Sequence, residues 1–476
     1  MTLPNLGYKL GFKDFIKPKE TNISIVGEIP IWLNGVYLKN GPGKFDLGQQ
    51  TLKHWFDGLS LITKFHFING KVTYESTMQD TKEARYAIKE GKLRSLQFGT
   101  QIEQTFLQKL ITLLSGANKL GDNTCVNIIP NGLTALTLTE TPIINSIDIA
   151  NLDQVQTIKF PNEFNYQLTT AHPEYDPITK KLINLGISVG AKNAYNIFEM
   201  DINTYGRNLI CSIPVKNPSY HHSFAVSEKY IILFDSPLKL NPISLLFSSK
   251  GIGKSFIENY QWNTKNGTKL IVIDRDKKSV VNEIITDPFM MFHTGNCYLE
   301  GDELIVDVAI YDDSTIIENL YLPNLLQGRD FCSAKLTRFR LNLQQNTCKK
   351  ETYDQFGCEF PRYNFKHSGQ KYKYLYTAGF NENTDFINLL NKWDLLSGNK
   401  QIWQQDNCYV GEPIFIPKPT GVFEDDGVVL SIILDTQREI CFLLILDAKS
   451  WQEIARVELD HLLPYGFHGN FAFMKN

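Results

Sequence analysis

Two adjacent histidines, His221 and His222, stand in the stretch NPSYHHSFAV (217–226) ahead of an apolar run. That run, from Tyr230 to Phe234, is rich in β-branched and aromatic residues, which predicts a buried strand. Because successive side chains of an extended backbone point to opposite faces, at most one of the two imidazoles can face a given site. The pair therefore raises the question of which histidine, if either, does chemistry.

Four histidines have the residue type and placement of metal ligands. Each is predicted to lie at or beside a strand, and they are spread widely along the chain: His172 in TTAHPEYDP, His222 in HHSF, His293 in MMFHTGNCYLE and His468 in YGFHGNF. Ligands spread in this way suit a metal on the axis of a closed β architecture, to which different strands each contribute one imidazole. A single histidine of this kind is more often a core residue with satisfied hydrogen bonds, and the spacing alone leaves both interpretations open.

The composition excludes several classes of protein. Aromatic residues at 12% and charged residues at 21% indicate a large packed core and not a disordered chain. A formal net charge of -3 predicts no nucleic-acid partner. No apolar run approaches the roughly 18 residues that span a bilayer, and the first residues do not resemble a signal peptide. Eight scattered cysteines without a C-x-x-C pair predict neither a zinc knuckle nor a disulfide framework, so a cytoplasmic location is the simplest interpretation.

Strand signals recur along the whole chain. Residues 65–74 read as a hairpin, because two strand-like runs flank Asn69-Gly70, a dipeptide typical of type I′ turns. Similar runs occupy residues 270–273, 304–308, 427–433 and 440–445. The chain exceeds the usual size of one core, yet no linker or charge block divides it. We therefore predict an all-β fold in which residues 1–476 form one closed domain, and a β-propeller would fit.

One stretch departs from the strand pattern. The segment FLQKLITLL, which starts at Phe106 and ends at Leu114, repeats its apolar residues at i, i+3, i+4 and i+7. This spacing predicts a helix with an apolar stripe. The stripe fits an insertion helix packed on the core, and it fits equally a surface patch that dips into lipid.

Nine ordered segments resemble motifs of one known family, the carotenoid oxygenases. The closest likeness is to the branch of animal β-carotene oxygenases and the retinal pigment isomerohydrolase. The resemblance runs from about Gly7 to the C-terminus, so it covers essentially the whole chain. The segments are NGVYLKNGPGKFD, HWFDG, TTAHPEYDP, SYHHSFAV, FHTGNCYLEGDELIVDV, CEFPRYN, EPIFIPKP, EDDGVVLSIILD and FHGNF.

The resemblance implies a seven-bladed β-propeller, with helical and loop insertions that form a cap over a catalytic iron on its axis. Matched motif by motif, the ligands of this Fe(2+) are His172, His222, His293 and His468. The HSF part of its motif assigns the ligand role to the second of the paired histidines. His221 is then predicted to face away from the metal.

The family also places three glutamates behind the ligands, each accepting the outer N–H of one imidazole. Such partners fix the tautomer and the ring angle of the ligand, and losing one typically costs about 10- to 100-fold in metal affinity or activity. By resemblance, the pairs in this chain are Glu140 with His222, Glu359 with His293, and Glu412 with His468.

Two further positions are expected beside the open coordination site of the iron. Stilbene-cleaving relatives carry a lysine just before the first glutamate, whereas this chain has Thr139, which fits carotenoid-type substrates better than phenols. Many oxygenases of the family carry a threonine near the open site, whereas this chain has Val126. The resemblance therefore implies a more apolar site than in those relatives.

The implied function is cleavage of a carbon–carbon double bond of a carotenoid or apocarotenoid by O2, which gives two aldehydes. A retinoid isomerohydrolase or a stilbenoid-cleaving oxygenase would use the same iron site, and a non-enzymatic propeller that binds hydrophobic partners is a further alternative. The family contacts membranes through an apolar patch at the tunnel mouth. Two stretches fall where that patch is expected, one from Phe106 to Leu114 and one from Leu238 to Phe247, so a cytoplasmic, peripherally membrane-associated protein is predicted.

Overall fold

Short antiparallel strands form most of the structure. A computed structural model describes residues 6–102, 120–162, 164, 166–249, 254–328, 331–354, 357–380 and 386–474. In these residues the strands form seven larger sheets, here called blades 1 to 7, and one two-stranded sheet. The predicted apolar helix that starts at Phe106 and ends at Leu114 lies outside the described residues, so it stays a prediction.

The first strand, β1 (Ile23–Gly27), belongs to the last blade, and the strands after it fill blades 1 to 4 in order. Blade 1 contains β2 (Gly35–Lys44), β3 (Leu59–Ile68) and β4 (Lys71–Met78). Blade 2 contains β5 (Asn127–Asn131), β6 (Thr134–Leu138), β7 (Asn145–Asp148) and β8 (Val155–Thr157). Blade 3 contains β9 (Leu168–Thr169), β10 (Glu174–Asp176), β11 (Lys181–Ser188), β12 (Ala194–Asp201) and β13 (Arg207–Pro214). Blade 4 contains β14 (Ala225–Val226), β15 (Tyr230–Asp235), β18 (Thr268–Asp274) and β19 (Ser279–Thr286), and the excursion between β15 and β18 forms the two-stranded sheet of β16 (Leu238–Leu240) and β17 (Tyr260–Trp262).

Blades 5 to 7 complete the ring. Blade 5 contains β20 (Met290–Glu300), β21 (Glu303–Tyr311), β22 (Lys335–Asn342) and β23 (Thr347–Asp354). Blade 6 contains β24 (Glu359–Tyr363), β25 (Tyr374–Gly379), β26 (Leu389–Asp394) and β27 (Asn399–Gln404). Blade 7 contains β28 (Cys408–Val410), β29 (Ile414–Pro417), β30 (Gly427–Asp435), β31 (Ile440–Asp447), β32 (Glu453–Leu459) and β1. The last strand, β33 (Gly469–Phe473), returns to blade 1.

Both ends of the described chain close the propeller. Strand β33 pairs with β2 in blade 1, whereas β1 pairs with β32 at the outer side of blade 7. Inner strands of neighbouring blades touch, since β20 contacts β14 and β24, and β33 contacts β5 and β29. Radial repetition of this kind leaves only short sheet edges. The predicted all-β class and the seven-bladed architecture are confirmed, and the assignment of residues 1–476 to a single domain stays a prediction.

The local strand predictions are also confirmed. Asn69 and Gly70 have φ angles of 50° and 76°, and Ile68 pairs directly with Lys71 across the turn. Two consecutive positive φ angles define the predicted type I′ hairpin. The other predicted runs lie in β18, β21, β30 and β31, and the last two pair with each other.

Helices occur in the connections between strands. They are α1 (Lys82–Glu90), α2 (Pro242–Ser249), α3 (Thr315–Asn319) and α4 (Leu322–Gln327). Helix α1 begins after Thr81, whose side chain accepts a hydrogen bond from the Ala84 amide, and it ends at Gly91 in the left-handed region. In the parts of the chain that the structure describes, no helix combines the length and the apolar character that crossing a bilayer requires.

Candidate metal centre

Four imidazoles converge between the inner strands of the blades. The ligand atoms of His172, His222, His293 and His468 all lie within 4.8 Å of one another. Nε2 of His172 is 3.1 Å from Nε2 of His222, and Nε2 of His293 is 3.2 Å from Nε2 of His468. The structure thus brings together all four histidines that the sequence predicts as ligands.

Three of these imidazoles form a hydrogen bond from Nδ1 to a glutamate carboxylate. The distances from Nδ1 to the nearest carboxylate oxygen are 2.8 Å for His222–Glu140, 2.6 Å for His293–Glu359 and 2.8 Å for His468–Glu412. Because an ionised carboxylate only accepts hydrogen bonds, each Nδ1 carries the hydrogen and each Nε2 keeps its lone pair. Lone pairs that face each other across about 3 Å repel unless a cation lies between them. The arrangement therefore favours a bound metal ion.

The spacing of the nitrogens fits a metal ion with several imidazole ligands. Metal–imidazole bonds of about 2.1 Å place nitrogens at right angles about 3.0 Å apart and opposed nitrogens about 4.2 Å apart. The measured separations of 3.1 and 3.2 Å match the first value, and the upper limit of 4.8 Å accommodates the second. Imidazole is a ligand that suits iron, copper, nickel and zinc. The four residues fit an iron ion in number, donor atom and spacing.

Burial and neighbouring charges favour the neutral form of His172, His222 and His468 and the ionised form of Glu412. Burial lowers the pKa of His468 to about 3, although Glu412 acts in the opposite direction. Burial also lowers the pKa values of His172 and His222 below the usual 6.5. For Glu412, burial alone would raise the pKa, but Arg362 and His468 outweigh it and hold the pKa well below its usual range. Neutral imidazoles are the form that binds metal.

Irregular backbone segments orient the side chains of His293 and Glu359 toward the four-histidine group. His293 lies in β20 where the pairing with β21 shifts register, and Glu359 lies at the start of β24 before another register shift. Phe360, which follows Glu359, has a φ of 53°. Bulges and positive φ angles in bulky residues are frequent next to functional sites, where they redirect a side chain. Ser223 Oγ donates to the Phe292 carbonyl at 2.6 Å and so links blade 4 to blade 5 beside the ligands.

His221 lies outside the four-histidine group, as predicted. Its ring packs perpendicular to that of Tyr195, with centroids 4.8 Å apart, and both of its ring nitrogens are buried without a hydrogen-bond partner among the described residues. The predicted strand from Tyr230 to Phe234 lies within β15, so that prediction is confirmed. The approach to the strand is mostly outside regular pairing, since β14 contains Ala225 and Val226 alone and Ser219 forms an isolated bridge with Lys239.

An apolar cavity adjoins the imidazoles. His222, His293 and His468 contribute to its wall. Most of the other lining side chains are aromatic or aliphatic, and they include Trp55, Phe56, Phe98, Phe256, Phe292, Phe331, Phe360, Phe380, Phe386 and Phe467. A wall of this character suits a hydrocarbon ligand.

Val126 and Thr139 both line this cavity. Val126 is buried at 7% exposure, and its amide donates to the Leu138 carbonyl at 3.0 Å. That Val126 and Thr139 lie beside an open coordination site of a metal stays a prediction.

The structure adds three polar residues that the sequence did not reveal. Tyr220 and Tyr311 donate hydrogen bonds to Glu140 and Glu359 at 2.6 and 2.5 Å, and Arg362 donates from Nε to Glu412 at 2.8 Å. Tyr220 stands two residues before His222, so the alternation rule could have flagged it. Tyr311 ends an apolar strand and carries no comparable signal.

A G-x-S-x-G sequence at residues 186–190 does not form a catalytic nucleophile. In hydrolases this pattern lies on a sharp turn from a strand to a helix. Here Ser188 ends β11, the chain continues into β12, and Ser188 Oγ accepts a hydrogen bond from Asn196 at 2.8 Å. The pattern is therefore incidental to the chemistry.

Comparisons with known proteins agree with this geometry. Residues 14–473 match the family model described as retinal pigment epithelial membrane protein. A mitochondrial carotenoid-cleaving dioxygenase of Macaca fascicularis is 30% identical over 95% of this chain and 92% of its own length. The β,β-carotene 15,15′-dioxygenase of Rattus norvegicus is 30% identical over 94% of this chain and 88% of its own length.

A solved structure supports the same architecture. The structural alignment with cobalt-substituted apocarotenoid oxygenase of Synechocystis covers 98% of this chain and 98% of that chain, with a TM-score of 0.84 and 24% sequence identity. At that level of identity the likeness concerns the fold.

Proposed function

Since this chain belongs to the carotenoid oxygenase family, the family of the retinal pigment epithelial membrane protein, we propose that it is an iron(II)-dependent carotenoid or apocarotenoid cleavage dioxygenase. The reaction breaks one carbon–carbon double bond of a polyene and gives each carbon one oxygen atom of O2, so that two aldehydes form. The observation that carries the proposal is the convergence of four imidazoles beside an apolar cavity.

His172, His222, His293 and His468 would hold the iron. Bound there, iron(II) would supply the O2 chemistry that protein side chains lack. Glu140, Glu359 and Glu412 hold the Nδ1 hydrogens of three ligands and so fix the direction of the Nε2 lone pairs. A relative with the same fold has been solved in a cobalt-substituted form, which supports a metal-binding role for this fold.

The cavity wall orients the polyene and excludes water. Aromatic side chains flank the imidazoles, since the ring centroids of Phe292 and His222 are 5.0 Å apart and those of Phe360 and His293 are 5.3 Å apart. Alignment of one double bond beside the metal decides which bond is cut. The overall reaction adds O2 to C=C and moves no proton, so it requires no general acid or base. Val126 and Thr139 give the wall near Glu140 a small and largely apolar character.

A second candidate on the same site is a retinoid isomerohydrolase. The match to the model named for the retinal pigment protein favours keeping it as the alternative. It would act on a retinyl ester without consuming O2, so dependence on O2 separates the two candidates. A stilbenoid-cleaving oxygenase is less well supported, because Thr139 offers no cation for a phenol.

Peripheral membrane contact is proposed through α2. Ile243, Leu246 and Phe247 are 71, 57 and 48% exposed. Helix α2 is tied to the turn at residues 257–259 by the bond from Ser244 Oγ to Asn259, and Phe256 just before that turn lines the cavity. An apolar helix beside a cavity suits extraction of a lipid-soluble substrate from a bilayer. The predicted cytoplasmic location belongs to the same proposal.

The proposed function is tested by product analysis. Iron-loaded protein is incubated in detergent with β-carotene or a long apocarotenal, in air and under argon, and the products are analysed by liquid chromatography and mass spectrometry. We expect aldehydes in air and none under argon, and their chain lengths identify the bond that is cut. Oxygen-independent retinol formation from a retinyl ester, without any cleavage product, would instead support the isomerohydrolase.

A further inference from the structure

The three glutamates behind the imidazoles have different second partners. Glu412 is paired with a cation, because Arg362 donates to its Oε1 at 2.8 Å, while the Gly469 amide donates to its Oε2 at 2.8 Å. Glu140 and Glu359 instead accept hydrogen bonds from the neutral phenols of Tyr220 and Tyr311. Two of the three carboxylates therefore depend on a tyrosine hydroxyl for part of their position.

The two tyrosines use different carboxylate oxygens. Tyr220 donates to Oε1 of Glu140, which is also the oxygen that His222 Nδ1 contacts, and the phenol oxygen is itself 3.0 Å from that Nδ1. Tyr311 donates to Oε1 of Glu359, whereas His293 Nδ1 contacts Oε2. Tyr220 thus shares an oxygen with its imidazole, while Tyr311 anchors the opposite oxygen of the carboxylate.

The backbone around Glu359 explains why such an anchor is needed. His293 and Glu359 come from different blades, and the pairing is irregular at both positions. Tyr311, by contrast, ends a regular strand and pairs with Met290 before the first register shift of β20. The bond from Tyr311 to Glu359 therefore connects the regular part of blade 5 to the irregular start of blade 6.

We propose that Tyr311 is a positioning residue for the metal centre: its hydroxyl fixes the Glu359 carboxylate, and the carboxylate in turn fixes the ring of His293. The proposal rests on the proposed function, since it concerns the iron site named there. Tyr311 is buried at 4% exposure, so its bond to a charged acceptor competes little with water and belongs to the stronger class of hydrogen bonds.

Without the hydroxyl, the remaining partners of the Glu359 carboxylate among the described residues are those of Oε2, namely His293 Nδ1 and the Phe360 amide at 3.1 Å. Its carboxylate can then rotate, and the direction of the His293 lone pair becomes less well defined. Removal of a group that binds a metal ligand directly typically weakens metal binding about 10- to 100-fold. Because Tyr311 acts one bond further out, we expect a loss of about 3- to 10-fold.

The test compares Tyr311→Phe with a matched control. Tyr311→Phe removes one oxygen and keeps the ring in the cavity wall. Tyr376→Phe is the control, because Tyr376 is also buried, at 1% exposure, and its hydroxyl has no hydrogen-bond partner in the part of the chain that the structure describes. Apoprotein of each form is titrated with Co(II), whose visible absorption bands report the ligand geometry, and far-ultraviolet circular dichroism verifies the fold.

We expect the Co(II) dissociation constant of Tyr311→Phe to rise about 3- to 10-fold with a shift of the absorption bands, while Tyr376→Phe matches the wild type. A double-mutant cycle with Glu359→Ala adds a second measurement. If Tyr311 acts through Glu359, Tyr311→Phe causes no further loss of affinity in the Glu359→Ala background.

The failure of the inference and the failure of the proposed function give different results. If the wild-type protein binds Co(II) and Fe(II) and cleaves its substrate, but Tyr311→Phe shows unchanged affinity and bands, the inference alone is overturned. An equal loss of affinity in the Glu359→Ala background would also overturn it, since Tyr311 would then act by another route. If the wild-type protein takes up no metal, the proposed function fails and the inference fails with it.

Discussion

At the residue scale, the metal centre depends on which nitrogen of each histidine carries the hydrogen. Three carboxylates accept the Nδ1 hydrogens, so three Nε2 lone pairs point inward. The fourth ligand residue is His172, whose backbone amide donates a hydrogen bond to Thr170 Oγ1 at 3.1 Å. Burial lowers the pKa of its imidazole well below 6.5. The tautomer and direction of the three carboxylate-bonded ligands are therefore set before a metal binds.

The paired histidines provide a direct test of this assignment. We expect His222→Ala to lose most of its bound iron and its turnover, because one of four ligands is removed. His221→Ala should keep near-normal iron content, since the ring of His221 packs on Tyr195 outside the site. Metal analysis of both purified variants measures the difference. Iron loss in His221→Ala with retention in His222→Ala would contradict the assignment.

Buried neutral histidines should also make the fold sensitive to acid. His54 is fully buried, and burial lowers its pKa to about 3, although its hydrogen bond to the Ile317 carbonyl opposes this. The folded pKa lies below the unfolded value, so the unfolded state binds more protons and stability falls as pH drops below about 6.5. From this residue alone we expect a loss of about 2 kcal/mol between pH 6.5 and pH 5.

Urea unfolding of the apoprotein at the two pH values measures this loss. His54→Gln keeps a polar side chain but no titrating group, so its stability should depend less on pH by the same amount. An identical pH dependence in the wild type and in His54→Gln would show that His54 is not buried in its neutral form.

How far the site could be predicted depends on the kind of contact. The four histidines and three glutamates stand in recognisable motifs, and all seven meet in space. Tyr311 and Arg362 could not be predicted, because their roles arise from contacts between blades that are distant in sequence. The hydroxyl of Tyr311 meets a carboxylate 48 residues further along the chain, and no local pattern encodes that meeting.

At the element scale, regular strands form the frame and irregular segments aim the side chains. The Asn69-Gly70 hairpin was predictable because two left-handed residues in succession need those residue types. The strand from Tyr230 to Phe234 was also predictable from its apolar run, whereas the sequence did not show that the approach at His222 bonds to β16, as in the bond from the Tyr220 amide to the Leu238 carbonyl at 3.0 Å. Such long-range pairing is invisible in a local sequence pattern.

Helix α2 is the element on which membrane contact is predicted. We expect the triple variant Ile243→Ser, Leu246→Ser, Phe247→Ser to lose most of its binding to phosphatidylcholine vesicles, because each exposed apolar side chain contributes about 1 to 2 kcal/mol when buried in lipid. Co-sedimentation with vesicles measures the bound fraction. Cleavage of a detergent-dispersed substrate should stay near normal.

A matched control lies on the loop between β29 and β30. Val422 and Phe423 are 86 and 63% exposed, and they are not part of the cavity wall. The double variant Val422→Ser, Phe423→Ser should bind vesicles as the wild type does. Unchanged binding of the α2 variant, or equal loss in both variants, would contradict a specific role for α2.

At the scale of the whole molecule, every blade contributes one of the seven histidines and glutamates of the proposed metal centre. Blades 1, 3, 4 and 5 contribute His468, His172, His222 and His293, and blades 2, 6 and 7 contribute Glu140, Glu359 and Glu412. The site therefore exists only when the ring is closed. Closure in turn requires β33 and β1, which come from opposite ends of the described chain.

Metal binding should consequently stabilise the fold as a whole. A ligand that binds only the folded state at 100 times its dissociation constant adds about 2.7 kcal/mol to the free energy of unfolding. We expect Co(II) to raise the urea midpoint of the wild-type apoprotein and to have little effect on His222→Ala. A metal-independent midpoint in a protein that binds Co(II) would contradict the dependence of the site on ring closure.

The origin of the oxygen in the products tests the central claim most directly. Iron-loaded protein is supplied with 18O2 and a polyene substrate, and the aldehydes are reduced at once to alcohols so that their oxygen does not exchange with water before mass spectrometry. A dioxygenase on the four-histidine site predicts one 18O atom in each of the two products. Products that carry oxygen from water alone would contradict the dioxygenase.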